Sequence, residues 1–137
     1  LVLIDTNVWS ELSRPRPAPP VIVWMGENLA EWILSAIVFA EMQFGIAAAA
    51  DAAKRRDLMA FRDDILQRID GVITPFDARA ANSWGPLRAT FKREGKLIGE
   101  RDMMIAAHAM SLGVPLVTRN VEEMGRTGAT IINPWEA

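Results

Sequence analysis

Asp5, Glu41 and Asp102, and more loosely Glu123, each border an apolar run instead of lying on a charged face. Asp5 ends Leu1-Val2-Leu3-Ile4, a short continuous apolar run that reads as a buried parallel strand and delivers the carboxylate at the strand's C-terminal edge. Open α/β sheets place their ligands at that edge. Carboxylates gathered there without basic partners repel one another and lose hydration, unless a hard cation such as Mg²⁺ neutralises them. The first expectation is therefore an acidic metal site.

Each acid also has a structural alternative. In Asp5-Thr6-Asn7 the carboxylate can bind metal while the Thr6 hydroxyl and Asn7 amide steady phosphate or water, yet all three residue types are good helix N-caps. Glu41 lies among apolar and small residues from Ser35 to Gly45, where burying a lone carboxylate is costly; the alternative is that it faces solvent. At about 100° per residue, Asp102 shares a face with Ile105, Ala106 and Ala109, at a helix N-terminus whose positive end suits an acid, or it simply caps that helix. His108 is roughly 9 Å further along the same helix and out of line, so it reads as a satisfied or partly exposed helix histidine, not a ligand or general base. Arg88, Lys92 and Lys96 recur at four-residue steps, with Arg79 and Arg93 nearby: a phosphate-tracking stripe or an ordinary solvated face.

These residues need a scaffold, and the chain supplies alternating strand and helix patterns, as a parallel sheet with helical crossovers requires. Strands are expected near 1–4, 32–36, 72–74, 115–118 and 130–132, and helices near 6–13, 21–29, 37–50, 54–69, 78–94 and 102–112. Residues 14–20, Arg-Pro-Arg-Pro-Ala-Pro-Pro, form a stiff loop, since proline lacks an N–H and restricts the residue before it. Helix 54–69 is amphipathic, with Leu58, Phe61, Ile65, Leu66 and Ile69 at three- and four-residue steps.

At 137 residues and 50% apolar composition, one domain spanning 1–137 is expected. The net charge of −2 neither favours nor excludes a nucleic-acid partner, because positive charge can be confined to one groove. Lack of cysteine excludes disulfides, thiolate zinc sites and cysteine nucleophiles, and one histidine excludes histidine-rich metal sites. A reducing cytoplasm fits this composition, and the first residues, broken by Asp5, Asn7 and Glu11, read as neither signal peptide nor membrane span.

Five segments in order, Leu3-Ile4-Asp5-Thr6-Asn7-Val8, Ser35-Ala36 to Gly45 with Glu41, Ile98-Gly99 to Asp102 with Ile105-Ala106-Ala107, Val117-Thr118-Arg119-Asn120, and Ile132-Asn133-Pro134-Trp135, cover nearly the whole chain. Together they resemble the PIN-domain ribonucleases of the VapC type, in particular the FitB-like branch. The resemblance implies a three-layer α/β/α fold with a short parallel sheet of about five strands. It also implies a Mg²⁺-dependent endoribonuclease, with Mn²⁺ able to substitute, acting as toxin in a type II toxin–antitoxin pair and leaving a 5′-phosphate and a 3′-hydroxyl. The family's acids fall on Asp5, Glu41 and Asp102. After Thr-Arg this chain has Asn120, and the acid often found three residues later is Glu123, so the fourth acidic position departs from the pattern.

Mechanistically, Asp5 and Asp102 are expected to hold Mg²⁺ with several waters, while Glu41 orients one of them or completes a second site. Thr6, Asn7, Thr118 and Asn120 would position water or phosphate, with Arg101 or the Arg88 row gripping the RNA backbone. Expected partners are RNA, a cognate DNA-binding antitoxin whose C-terminal segment blocks the acids, operator DNA through that antitoxin only, and a second copy of the chain. The apolar stretch Ile46 to Ala50, with Met42 and Trp24, is the candidate contact surface. Two rival readings are a PIN-like binding module without activity and a phosphatase using Asp5 as covalent nucleophile; the latter usually needs an aspartate where this chain has Asn7.

Overall fold

Leu1-Val2-Leu3-Ile4 offers no polar side to water, and in the computed structural model, which describes residues 1–137, Val2–Ile4 forms the central strand β1, buried throughout. It pairs in parallel with β2 (Trp32–Ser35) on one side and β4 (Leu116–Val117) on the other, Leu3 lying opposite both Ile33 and Leu116. Beyond them lie β3 (Ile73–Thr74) and β5 (Ile131–Ile132), giving five parallel strands in the order β3-β2-β1-β4-β5. Parallel neighbours must be joined by crossovers, here helical. Helices α1 (Thr6–Leu12) and α2 (Pro19–Glu27) lead to β2, and α3 (Ala36–Ala47) and α4 (Ala52–Arg68) lead to β3. Helices α5 (Ala78–Arg93) and α6 (Glu100–Leu112) then return the chain to β4, and α7 (Val121–Gly125) leads to β5. Right-handed crossovers assign the first four helices to one face and the last three to the other, hence three layers.

A core of 17 buried residues joins Leu3, Ile4, Leu34 and Leu116 of the sheet to Val8, Trp9, Val38, Ile65 and Ile105 of the helices. Trp9 meets Trp32 edge to face at 5.2 Å between centroids, the arrangement favoured by the ring quadrupoles. No helix is long and apolar enough to cross a membrane.

The strands fall where expected, and helix bounds differ in instructive ways. Helix α2 starts at Pro19, not at residue 21, because proline at a first-turn position gives up no N–H that the helix would use. The stiff loop is shorter in consequence. The end of the predicted 21–29 helix is instead a 3₁₀ turn over Leu29–Glu31. Helix α7 was not expected: its five residues are too few to show a period.

The strand order also locates a crevice. From β1 the chain builds outward through β2 and β3, then returns to lay β4 on the opposite flank of β1. A switch point of this kind opens outside the carboxyl ends of β1 and β4, where Asp5 and Thr118 follow their strands.

His108, the only histidine, is buried on α6, with its Nδ1 2.9 Å from the Ser35 hydroxyl at the end of β2 and its ring edge to face with Phe76. Burial holds its pKa below the ordinary histidine value, although the Pro75 carbonyl and Asp77 favour the proton. A histidine depressed in the folded state adds stability above its unfolded pKa of about 6.5, which is lost as pH falls through the lower folded value. The stability of His108→Gln should thus depend less steeply on pH below about 6.5 than the parent's. Urea unfolding at several pH values checks this, and parallel profiles would refute it.

Candidate active site

Asp5 is 1% exposed, and each of its carboxylate oxygens is occupied. Its Oδ1 accepts from the Thr6 amide at 2.7 Å, capping α1, and from Nη1 and Nη2 of Arg101 at 3.1 and 3.3 Å. Its Oδ2 accepts from the Thr118 hydroxyl at 2.8 Å and from the Asn7 amide at 3.5 Å. The capping role and the cluster role, alternatives from sequence, thus coexist in one side chain. A buried carboxylate is tolerable only with this many donors.

Glu41 projects from the second turn of α3 into the same crevice, where its Oε1 accepts from the Thr6 hydroxyl at 3.0 Å and pairs with Arg101 Nε at 2.8 Å. Asp102, in the first turn of α6, pairs with Arg101 Nη2 at 3.4 Å and is touched by the Asn120 amide at 3.5 Å. Asn120 spends the same amide nitrogen on Glu123, at 3.1 Å, and so joins the exposed Glu123 to the cluster. Burial pushes the pKa of both Glu41 and Asp102 above the usual carboxylate values, with Arg101 opposing and Asp5 reinforcing the rise in each. Asp102 also feels Glu123. Three carboxylates thus pair with a single guanidinium.

Thr118 is the junction. Its hydroxyl donates to Asp5 and accepts from the Asn7 amide at 3.1 Å and the Asn120 backbone N–H at 3.1 Å. Thr6, Asn7, Thr118 and Asn120 thus all donate to the acids, where the sequence suggested that they position water or phosphate. Arg101 does too, but turned inward onto the carboxylates instead of outward. Arg88 does not: it pairs with Glu100 at 3.4 Å, while Lys96 folds back on Glu94 and over the Phe91 ring, so the basic stripe is broken up.

Sequence reasoning did not single out a polar groove of about 320 Å³ that leaves the cluster, lined by Thr6, Asn7, Arg14, Arg101, Arg119 and Trp135 among others. Along it the Arg119 guanidinium lies 4.9 Å from the Trp135 ring centroid. The Asn133-Pro134-Trp135 motif was the available signal. Asn133 accepts the Trp135 N–H at 3.0 Å, which fixes the turn that presents the ring.

The donor set is all oxygen, carries excess negative charge and contains no competing thiol or imidazole, which fits a hard divalent cation. As arranged, no three acidic side chains converge closely enough to share one ion, because the Arg101 guanidinium stands among them.

Residues 2–128 match the PIN domain. The chain belongs to the PIN-domain family. This PIN domain is 40% identical to the VapC ribonuclease Y4jK of Sinorhizobium fredii, over 99% of this chain and 99% of that one. It is 34% identical to toxin FitB of Neisseria gonorrhoeae, over 98% and 99%. The crystal structure of FitAcB from Neisseria gonorrhoeae superposes with a TM-score of 0.91 at 33% identity, covering all of both chains. The five-stranded parallel sheet is thus the fold of this PIN-domain group.

Since Thr118 alone serves Asp5 Oδ2 at short range, Thr118→Val should leave a buried carboxylate oxygen under-satisfied and cost about 1–3 kcal/mol. Chemical unfolding without metal measures this, and parental stability would remove Thr118 from its junction role.

Proposed function

We propose that this PIN domain is a divalent-metal-dependent endoribonuclease and the toxin of a toxin–antitoxin pair. The observation that carries the reading is that Asp5, Glu41 and Asp102, from three separate elements, all meet one guanidinium, that of Arg101, at the switch point of the sheet. The family and the names of the relatives, a VapC ribonuclease and a toxin, support it.

Asp5, Asp102 and Glu41 are the residues that would hold Mg²⁺, or Mn²⁺ in its place. Bound there, the cation supplies a water acidified enough to attack phosphorus and positive charge for the developing phosphorane oxygens. The remaining work belongs to the chain. Thr6 aims Glu41, Thr118 and Asn7 aim Asp5, and Asn120 holds Asp102 next to Glu123. Glu41 is half-buried at the edge of the cluster, aimed by the Thr6 hydroxyl, and would orient an attacking water. The aspartyl-nucleophile alternative finds no support, because both Asp5 oxygens are tied up and Asn7 donates to one of them.

RNA is proposed to run along the polar groove, a base stacking on Trp135 and phosphates meeting Arg119 and Arg14. An apolar groove of about 430 Å³ between α1, α2 and α4 shares Trp9 and Phe61 with a smaller one of about 130 Å³ that reaches Thr6 and Glu41. That path suits an antitoxin segment whose apolar residues dock first and whose end covers the acids. On α3 the 74% exposed Phe44, with Ala47 and Ala48 also exposed, leaves a surface for a second copy.

Asp102→Asn should keep the fold and cut Mg²⁺-dependent cleavage of single-stranded RNA by about 100-fold or more, the loss of a few kcal/mol of transition-state stabilisation. Millimolar Mg²⁺ should also raise the melting temperature of the parent but not of Asp5→Asn. Parental cleavage by Asp102→Asn, or equal thermal shifts in both proteins, would sink the assignment.

The groove has its own test. Trp135→Ala should weaken binding of a short RNA by about tenfold, as loss of one stacked base implies, while leaving Mg²⁺ affinity alone. Unchanged RNA affinity, measured by fluorescence anisotropy, would take Trp135 out of the RNA path.

A further inference from the structure

The position of Arg101 is hard to explain from its own helix. It is the second residue of α6, where the helix dipole and free N–H groups favour negative charge and disfavour a guanidinium. What holds it is a three-way fork: Nε on Glu41 at 2.8 Å, Nη1 on Asp5 at 3.1 Å and Nη2 on Asp102 at 3.4 Å. The planar guanidinium suits such a fork, whereas an ammonium presents a single point of charge. The fork ties the start of α1, the second turn of α3 and the start of α6 to one side chain.

That arrangement conflicts with the ion the acids would bind. Asp5 Oδ1 is shared between the Thr6 N–H and Arg101, and Oδ2 is taken by Thr118 and Asn7, so the oxygen facing the cluster is the one the guanidinium covers. Glu41 Oε1 and Asp102 Oδ1 are covered by the same group. A dication coordinated by these oxygens cannot coexist with the fork, by sterics and by like-charge repulsion. Arg101 has somewhere to go: its side chain is 34% exposed and lines the polar groove beside Arg14 and Arg119.

We infer that Arg101 is a built-in competitor of the divalent cation, neutralising the carboxylates in the metal-free protein and setting how tightly the site takes its metal. This rests on the metal-dependent reading given above and adds a residue that opposes loading. The apparent metal affinity is then the intrinsic affinity reduced by the fraction of molecules in which the guanidinium has left. Three acids, Asp5, Glu41 and Asp102, share one arginine, and Glu123 stands beside Asp102 on the Asn120 amide, so the site retains the negative charge that draws the dication in.

The test is direct titration of the full chain with Mn²⁺, followed by the electron paramagnetic resonance of the free ion, on the parent, Arg101→Gln and Arg101→Lys, each checked for folding by circular dichroism. Arg101→Gln should bind Mn²⁺ at least about tenfold more tightly, as expected if the displaced state is under about a tenth of the population. Its metal-free form should melt below the parent, and its melting temperature should rise further on adding Mn²⁺. Arg101→Lys, with a charge but no fork, should fall between the two and serves if Arg101→Gln does not fold without metal. Equal or weaker Mn²⁺ binding in the folded variants would overturn the competitor role while leaving the metal site standing. Absence of Mn²⁺ binding in the parent and in every folded variant would overturn the metal-dependent reading and the competitor with it.

Discussion

Like charges crowded into a half-buried crevice are the constraint to which the rest of the molecule answers. Asp5 is nearly inaccessible, Glu41 and Asp102 are held in forms that favour their protons more than free carboxylates do, and Glu123 adds a fourth charge at the rim. Every nearby polar group is arranged to donate: the Thr6 amide and hydroxyl, the Asn7 and Asn120 amides, the Thr118 hydroxyl and the Arg101 fork. The fold contributes by bringing two helix N-termini, those of α1 and α6, to the same edge, so that backbone dipoles favour the acids as well. The remaining imbalance is the chemical basis of the proposed dication site.

Much of this was legible in the chain because it follows from local rules. An acid directly after a continuous apolar run has to emerge at a strand end, and a lone glutamate among alanine, phenylalanine and valine has to find a partner; Asp5 and Glu41 obey both. Thr118 and Asn120 were readable through the Val117-Thr118-Arg119-Asn120 motif that the chain shares with its family. The direction of Arg101 was not, since a residue next to Asp102 can turn to solvent or to the cluster, and only the positions of α3 and β1 decide it. Arg88 shows the converse: regular spacing with Lys92 and Lys96 suggested a common purpose, yet Arg88 pairs with Glu100 while Lys96 turns to Glu94 and the Phe91 ring. Trp135 was noticed only as part of a motif, because stacking on Arg119 is a contact between different segments and leaves no period to read. Helix α7 escaped for lack of length.

His108 illustrates how burial separates structure from chemistry within one helix. Asp102 begins α6 at the open edge of the sheet and belongs to the cluster, whereas His108, less than two turns on, is buried against Ser35 and Phe76. The residue type most often associated with catalysis serves here to join a helix to the end of β2.

The strand order has a temporal meaning as well. Asp5 accepts from the Thr118 hydroxyl and donates its backbone N–H to the Val117 carbonyl, partners more than a hundred residues on, and β4 cannot be laid beside β1 before α6 has been made. During synthesis Asp5 leaves the ribosome 113 residues ahead of Thr118 and lacks that neighbour until then. A chain interrupted before β4 therefore carries Asp5, Glu41 and Asp102 without the crevice that gathers them.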